Sequence, residues 1–572
     1  MPPRSLLESA YQWEHTCGDD EFLIQPMGAL SRIWTWSQAM HEARRMASFL
    51  RSHEWPAGSR IVILSGNCAW WIIADLAIWM AGHVSVPIYA SSTAESGRRL
   101  MQHCEPVACF LGPTETPALS AAIPSGALCV KFPMASHADS TGAIEWYAAL
   151  AANNPIEDNP VPPPDNLATI IYTSGTTGNP KGVMHCFAAL SHCVDAVIQF
   201  MGHHGRERLF SYLPLAHIAE RALTEASAIR ENLIVHFCEG TPTFLRDLDS
   251  ARPTVFFSVP RLYAKFQQKV WEKMPESTLG LLTHVPLAGD LVRKEILRQL
   301  GLNTVRLAAS GSAGMPMDLL MWWRNLGLPL AEGFGTTEAG ITHTAPNGEF
   351  RAGYVGRFAP GVETRIAPNG EVLIKSAMNM LGYYKDPDLT RDAVTEDGFI
   401  KTGDLGEIDA DGWLKIIGRI KEQFKTSKGK YVLPSGIEAL LGRNPAIETC
   451  LVLGADWPAP CAAVVLTPHA RQNALTEHGR HALEHSLRQM LETTNAKLED
   501  YEQLKFIAIV DGGWTIDKGF LTPTMKLKRS NLEAYYGPRI ANWTAGNTPI
   551  VWDTEIASHS TMSGTEGASS KV

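Results

Sequence analysis

The stretch Leu167-Ala-Thr-Ile-Ile-Tyr-Thr-Ser-Gly-Thr-Thr-Gly-Asn-Pro-Lys-Gly182 joins a run of apolar residues to a loop rich in glycine and hydroxyl side chains. The apolar part, residues 167–172, predicts a strand. Glycines allow backbone N–H groups to surround an anion, and the hydroxyls and the ammonium group of Lys181 add further donors. The pattern therefore indicates a loop that holds phosphate. A flexible turn with an incidental lysine is the alternative for this loop taken by itself.

The phosphate ligands that this loop offers follow one another closely in the sequence. They are Thr173, Ser174, Gly175, Thr176, Thr177, Gly178 and Lys181. Their spacing does not match Gly-x-x-x-x-Gly-Lys-[Ser/Thr], so the loop differs from the phosphate loop of the common nucleoside triphosphatases.

Length and composition restrict the class of protein. A chain of 572 residues with 45% apolar and 19% charged residues predicts a globular protein of at least two domains. The net charge of -9 gives no support for nucleic-acid binding. Ten cysteines without a Cys-x-x-Cys pair are typical of reduced thiols, and we expect a cytoplasmic protein. Peripheral contact with the inner membrane face and the oligomeric state stay open.

The chain alternates between helical and strand patterns over most of its length. Apolar residues at helical spacing follow Thr35, and the apolar run 61–64 follows that helix. Residues 69–82 are apolar but too few to span a bilayer, which predicts a buried helix. Such alternation predicts a layered α/β body.

The pattern of residues along the sequence changes after Tyr354. Pro-Gly, Asn-Gly and Asp-Gly pairs at 360, 369, 397 and 411 are typical of hairpins and predict a β-rich subdomain. A smaller α+β pattern follows. We predict a large N-terminal α/β domain over residues 1–419, a small C-terminal domain over 420–537 and a tail over 538–572 that is partly disordered.

Three further segments carry side chains suited to a nucleotide. Glu332-Gly-Phe-Gly-Thr-Thr-Glu338 offers an aromatic ring, a hydroxyl and a carboxylate, although a glycine-rich turn would look similar. Asp404 in Thr-Gly-Asp, with Arg419 in Gly-Arg-Ile-Lys, suits a sugar diol; a surface ion pair is the alternative. Lys526 follows a Thr-Pro-Thr turn and could enter a cleft or belong to a solvated basic face.

Together and in this order, these segments resemble the adenylate-forming superfamily, which includes acyl-CoA synthetases, luciferase and peptide-synthetase adenylation domains. The resemblance extends from about residue 34 to residue 529. The segment Tyr212-Leu-Pro-Leu-Ala-His-Ile-Ala-Glu-Arg221 and the segment Leu521-Thr-Pro-Thr are similar to those of long-chain fatty acyl-CoA synthetases. Phe334 departs from the tyrosine that is usual in the family, which keeps the aromatic ring but loses its hydroxyl.

The resemblance implies a role for each matching residue in the nucleotide site. The loop 173–178 and Lys181 would bind the β- and γ-phosphates, and Thr337 would contact the α-phosphate. Glu338 would bind Mg²⁺. Phe334 would stack on adenine, while Asp404 and Arg419 would hold the ribose.

Three more residues are assigned by the same resemblance. Lys526 would act in adenylation, Lys421 would be the hinge of a mobile C-terminal domain, and His217 would gate or line the acyl pocket. For His217 a core histidine without such a role is the alternative.

The resemblance implies an ATP-dependent fatty acid–CoA ligase that forms an acyl-adenylate and releases AMP and pyrophosphate, with ATP, Mg²⁺ and coenzyme A as cofactors and co-substrates. Two alternatives stay open. One is an acyl-AMP ligase that loads a carrier protein, although the insertion that such relatives carry near the hinge is absent from residues 418–423. The other is a non-catalytic nucleotide- or lipid-binding relative, which the presence of Lys181, Glu338, Asp404 and Lys526 disfavours.

Overall fold

The computed structural model describes residues 4–114, 116–135, 142–173, 180–202, 205–283, 285, 288–345, 349–516, 518–522, 526–546 and 548–553. The chain divides into two compact units. The first unit consists of residues 1–367, 372–402 and 408–415, and the second of residues 368–371, 403–407 and 416–572.

The strands in chain order are β1 Glu21–Met27, β2 Leu30–Thr35, β3 Arg60–Leu64, β4 Val84–Ile88, β5 Ala108–Leu111, β6 Leu128–Lys131, β7 Ile144–Glu145, β8 Leu167–Thr173, β9 Lys181–Cys186, β10 Arg208–Ser211, β11 Ile234–Phe237, β12 Val255–Ser258, β13 Leu307–Ser310, β14 Leu330–Glu332, β15 Phe334–Thr336, β16 Gly340–Thr344, β17 Arg357–Phe358, β18 Glu363–Ile366, β19 Glu371–Lys375, β20 Gly382–Tyr383, β21 Ile400–Ile408, β22 Leu414–Arg419, β23 Phe424–Lys425, β24 Tyr431–Val432, β25 Ile447–Leu453, β26 Cys461–Leu466, β27 Ile507–Ile509 and β28 Ile550–Trp552.

The α-helices are α1 Leu6–Thr16, α2 Trp36–Arg51, α3 Ala69–Met80, α4 Ala94–Cys104, α5 Trp146–Ala151, α6 Phe187–Met201, α7 Ile218–Glu220, α8 Ser227–Glu231, α9 Phe244–Ala251, α10 Pro260–Lys273, α11 Glu276–Thr283, α12 Ala288–Gln299, α13 Met317–Asn325, α14 Pro387–Ala393, α15 Pro434–Leu441, α16 Pro468–Asn473, α17 Glu477–Asn495, α18 Arg529–Tyr536 and α19 Ile540–Ala545. A π-helical turn, Arg221–Ala226, joins α7 to α8.

The first unit is built on several sheets. The largest has the strand order β20-β9-β8-β4-β3-β5-β6-β7 and is parallel from β8 to β7, while β9 and β20 are antiparallel to their neighbours. A second sheet has the order β10-β11-β1-β2, and a third contains the parallel strands β12-β13-β14. This mixture of sheets and helices confirms the predicted α/β fold class.

Helix α3 shows why an apolar segment of this length need not enter a membrane. Every residue of the helix is buried, including Asp75. The helix packs against β3 and β4 of the largest sheet and against β1 of the second sheet, so it is covered on all sides, as an all-round apolar helix requires. The predicted buried helix is confirmed. No helix among the described residues is long and apolar enough to cross a membrane.

Local signals in the sequence placed several elements correctly. Helix α2 begins after Thr35, whose side chain caps it in a reciprocal capping box with Gln38. Asn369-Gly370 lies between the antiparallel strands β18 and β19, and Gly370 has a φ of +84°, which suits a hairpin turn. Strand β9, which follows the predicted phosphate loop, was not anticipated.

The second unit contains a four-stranded sheet with the order β25-β26-β27-β28. Helices α15, α16 and α17 cover one apolar cluster on this sheet, and α18 and α19 contribute to another. The C-terminal domain was predicted to end at residue 537. The packed elements continue past this residue, because β28 pairs in parallel with β27. Residues 554–572 of the predicted tail lie outside the described residues.

Candidate active site

The predicted phosphate loop closes an antiparallel hairpin in the first unit. Strands β8 and β9 pair along their length, and Thr173 lies directly opposite Lys181 at the open end. Both residues are therefore held at the base of the loop by the sheet. The remaining predicted loop ligands, Ser174, Gly175, Thr176, Thr177 and Gly178, lie outside the described residues.

Tyr383 connects Lys181 with Glu338, although the sequence analysis did not single out this tyrosine. Its ring lies 5.8 Å from the Lys181 Nζ, and its hydroxyl donates a hydrogen bond of 2.8 Å to the Glu338 Oε1. Burial, followed by the charge of Glu338, raises the pKa of Tyr383 well above its usual value, so the hydroxyl keeps its proton. Tyr383 occupies β20, which pairs with β9 beside Lys181.

His185 fixes the backbone next to Glu338. The buried His185 Nε2 lies 2.8 Å from the carbonyl oxygen of Thr337. Burial lowers the pKa of His185 to about 4, so the ring is neutral at physiological pH. Its Nε2 must carry the proton, because a carbonyl oxygen can only accept. The histidine thereby ties β9 to the Thr337-Glu338 segment.

Two strand ends converge where the sequence analysis places the adenine. Parallel strands β13 and β14 align Ser310 with Glu332, and a Cβ on Gly311 would come within 3.2 Å of the carbonyl oxygen of Gly333. Burial raises the pKa of Glu332 to about 7, and its carboxyl accepts the Met315 N–H at 3.1 Å. Ligands of open α/β sheets bind at such carboxyl ends.

Phe334 and His217 occupy defined positions in the first unit. The partly exposed ring of Phe334 meets His343 edge to face, with 5.8 Å between centroids. The His217 Nδ1 accepts the Ala219 N–H at 3.2 Å and so caps the short helix α7. This local bond explains the position of His217, and its role in gating stays a prediction.

A buried charged network lies beside the strand that enters the phosphate loop. Arg221 donates to the Thr169 Oγ1 of β8 at 2.6 Å, to Glu225 at 3.1 Å and to Asp75 of α3. Its guanidinium lies 5.4 Å from the ring centroids of Trp71 and of Trp79. Burial and the neighbouring Asp75 carboxylate raise the pKa of Glu225 well above its usual value. Arg221 thus links α3, β8 and the π-helical turn.

The remaining predicted residues lie in the second unit. The Arg419 Nε is 2.9 Å from the Asp404 Oδ1, and the Asp404 side chain is only 4% exposed. Burial raises the pKa of Asp404, while Arg419 and then Lys526 oppose that shift. Asp404 follows Gly403, whose φ of +72° favours glycine and whose N–H donates to Glu371 at 2.9 Å.

Lys526 lies close to Asp404 and Arg419, and its backbone is bonded to Thr522. The Thr522 N–H donates to the Lys526 carbonyl at 2.8 Å, and the Lys526 N–H donates to the Thr522 Oγ1 at 3.0 Å. Burial and then Arg419 lower the pKa of Lys526 to about 8, against Asp404 and Glu422, which raise it. The structure therefore gathers Lys526, Asp404 and Arg419.

Lys421 lies in a 3₁₀ turn, Ile420–Glu422, that follows β22 directly, and its side chain is exposed. An exposed position immediately after a strand can change its backbone angles without disturbing a core. This position is compatible with the predicted hinge, which stays a prediction.

Comparison with known proteins identifies the family. The model for the AMP-binding enzyme matches residues 10–384, and the model for the AMP-binding enzyme C-terminal domain matches residues 421–543. This chain belongs to the AMP-binding enzyme family. The resemblance to adenylate-forming enzymes in the sequence analysis is confirmed.

Several relatives of this AMP-binding enzyme are named for their substrates. The long-chain-fatty-acid–CoA ligase FadD15 of Mycobacterium bovis is 30% identical over 92% of this chain and 96% of its own length. The peroxisomal long chain acyl-CoA synthetase 6 of Arabidopsis thaliana is 28% identical over 89% of this chain and 81% of its own length. Both comparisons support an AMP-forming acyl-CoA ligase family.

A solved structure shares the fold of this AMP-binding enzyme. The adenylation domain of a carboxylate reductase from Mycobacterium chelonae superposes with a TM-score of 0.80 at 23% identity. The match covers 95% of this chain and 92% of that domain. At this identity the likeness supports the fold alone.

If Glu338 binds Mg²⁺ as the resemblance implies, removal of the Tyr383 hydroxyl that donates to it is expected to weaken the use of Mg²⁺ and ATP. A hydrogen bond to a charged group contributes about 1.5–3 kcal/mol, so Tyr383→Phe should raise the half-saturating concentration of Mg²⁺-ATP by roughly tenfold. The maximal rate should change less. Steady-state titrations of ATP at fixed excess Mg²⁺ measure the half-saturating concentration and the maximal rate.

The adjacent tyrosine provides a matched control for this experiment. Tyr384 meets His103 edge to face, and Tyr384→Phe should leave the titration unchanged. Equal behaviour of the two variants would contradict a specific contribution of Tyr383 through Glu338.

Proposed function

We propose that this AMP-binding enzyme is an ATP-dependent fatty acid–CoA ligase. The observation that carries the proposal is the similarity to long-chain fatty acid–CoA ligases over nearly the full length of both chains. In the first half-reaction a carboxylate oxygen attacks the α-phosphorus of ATP and pyrophosphate leaves. In the second, the thiol sulfur of coenzyme A attacks the acyl carbonyl, loses its proton, and AMP leaves.

The first half-reaction brings an anion to an anion, so its main requirement is positive charge and alignment. We assign the β- and γ-phosphates to Lys181, Thr173 and the loop 174–178, and the α-phosphate to Thr337. Lys181 is fixed at the end of β9 opposite Thr173, which suits a point charge held beside a phosphate chain. Lys526 would reach the attacking carboxylate and the bridging oxygen.

Glu338 fits the ligand chemistry of Mg²⁺. Its Oε1 accepts from Tyr383, and no hydrogen bond to its other carboxylate oxygen is found within the described part of the chain. Proteins bind Mg²⁺ through one or two carboxylates together with substrate phosphates. When bound, the ion supplies charge neutralisation for the phosphates. Tyr383 and His185 would then orient the carboxylate and its backbone.

The nucleoside is assigned to three side chains. Phe334 would stack on adenine, Asp404 would accept from the ribose hydroxyls, and Arg419 would hold Asp404 and contact the ribose. The bond between Arg419 and Asp404 supports this assignment because it orients the acceptor carboxylate. Lys421 is the proposed hinge about which the C-terminal domain moves between the two half-reactions. His217 would line or gate the acyl pocket.

The proposal is tested by the formation of AMP, pyrophosphate and acyl-CoA from ATP and Mg²⁺ across a chain-length series of fatty acids. Formation of acyl-CoA with a preference for long chains is expected. Adenylate that accumulates despite coenzyme A would instead support the acyl-AMP ligase that loads a carrier protein. An absence of turnover with every carboxylate, together with ATP binding by calorimetry, would support the non-catalytic alternative.

The adenylation rate is expected to fall as the pH rises through about 8. Burial and then Arg419 lower the pKa of Lys526 from its usual 10.5 to about 8, because both disfavour the charged form. The ammonium is therefore present below pH 8 and lost above it. Single-turnover adenylation should drop by about tenfold per pH unit once Lys526 is neutral.

A charge-retaining variant provides the control for this pH profile. Lys526→Arg keeps a positive charge throughout the range, so its residual activity should lack the decline near pH 8. A decline that persists in this variant would assign the titration to another group.

A further inference from the structure

Helices α11 and α12 form a tight hairpin on the surface of the first unit. The Gly289 N–H donates to the Val285 carbonyl at 2.8 Å, and the Arg293 guanidinium donates to the Thr283 carbonyl at 2.7 Å. A Cβ on Gly289 would come within 2.4 Å of that same carbonyl oxygen. The close backbone approach fixes the end of the hairpin at which the two helices meet.

Large apolar side chains face solvent at this end. Leu281 is 73% exposed, Val285 46% and Leu291 69%, whereas Leu279 and Leu297 on the same two helices are buried in the core. Single exposed leucines are ordinary in soluble proteins. Three exposed apolar residues between positions 281 and 291, at one end of one hairpin, form a local surface that the core does not use.

The helices that carry and precede this surface are rich in exposed lysine. Lys294 follows Leu291 by one helical turn, and Lys265, Lys269 and Lys273 recur at four-residue spacing on α10, which leads into α11. All four lysines are exposed, and none forms an ion pair within the described ranges. Residues 260–300 hold seven basic and four acidic side chains, while the whole chain carries a net charge of -9.

We propose that the α11–α12 hairpin docks on an anionic lipid bilayer. Apolar side chains beside lysines suit the boundary between headgroups and acyl chains, where the leucines leave water and the lysines meet lipid phosphates. A second copy of this chain fits less well, because a two-fold contact would oppose two basic surfaces. Docking would place the enzyme where fatty acids partition, but it does not depend on the proposed ligase activity.

Flotation with lipid vesicles tests the proposal. The full chain should float with vesicles of phosphatidylcholine and phosphatidylglycerol in equal parts, and rising salt should weaken the binding. Vesicles of phosphatidylcholine alone should bind less. The double variant L281S/L291S should lose at least about tenfold in partition coefficient, because each leucine contributes apolar area. The charge variant K273E/K294E should lose binding to the anionic vesicles.

Leu30 offers a matched control, since it is 78% exposed at the start of β2, away from the hairpin in sequence. L30S should float as the unmodified chain does, and all variants should keep the same thermal midpoint and the same turnover of a water-soluble short-chain acid. Failure of the unmodified chain to float, or equal flotation of L281S/L291S, would overturn the proposal. If the unmodified chain formed concentration-dependent dimers, and L281S/L291S abolished them while the other variants did not, the proposal would be overturned in favour of self-association.

Discussion

Replacement of Lys526 by alanine is expected to slow adenylation by at least about 10²–10³-fold, the usual effect of removing one preorganised donor from a developing anion. The Lys526 backbone forms two hydrogen bonds with Thr522 that the substitution leaves in place, so the loss should come from the ammonium rather than from unfolding. Conversion of a preformed acyl-adenylate to acyl-CoA should be nearly unchanged, because Lys526 is assigned to adenylation and not to the second step. Separate single-turnover assays of the two half-reactions measure this difference.

Lys528 provides the control for this prediction. It lies two positions from Lys526 and precedes α18, so Lys528→Ala tests the loss of a nearby positive charge. Its two half-reactions should both remain close to those of the unmodified enzyme. If Lys526→Ala slowed the two half-reactions equally, the assignment of Lys526 to adenylation alone would be wrong.

Replacement of Arg221 by methionine is expected to lower the free energy of unfolding of the first unit by about 3–5 kcal/mol, the usual cost of removing one partner from a buried ion pair. The variant leaves Asp75 and Glu225 buried without the cation that they share. Urea denaturation followed by tryptophan fluorescence suits this test, because Trp71 and Trp79 flank the guanidinium.

Two further variants separate charge from packing. Arg298→Met breaks only an exposed ion pair with Glu295, and its urea midpoint should hardly move. A triple variant that also replaces Asp75 and Glu225 by leucine removes the unpaired charges and should recover part of the lost stability. Equal midpoints for the Arg221 and Arg298 variants would show that the buried network contributes nothing specific.

The sequence analysis predicted much of the local structure because short-range patterns encode it. Thr35 predicted the start of α2, Asn369-Gly370 predicted a hairpin, and the apolar segment after Cys68 predicted the buried helix α3. The end of the second unit was not predicted, because Ile550–Trp552 is a short strand whose pairing with β27 stabilises it. Such a strand has no periodicity of its own.

The sequence by itself determined the family and the order of its nucleotide motifs, because glycines, hydroxyls and charged residues at fixed spacing carry that information locally. Only the tertiary structure decided which side chains support those motifs. Tyr383 reaches Glu338 across 45 positions, His185 reaches Thr337 across 152, and Arg221 reaches Asp75 across 146. No local pattern specifies such pairs, since they arise when strands and helices distant in sequence pack together and buried polar groups find partners.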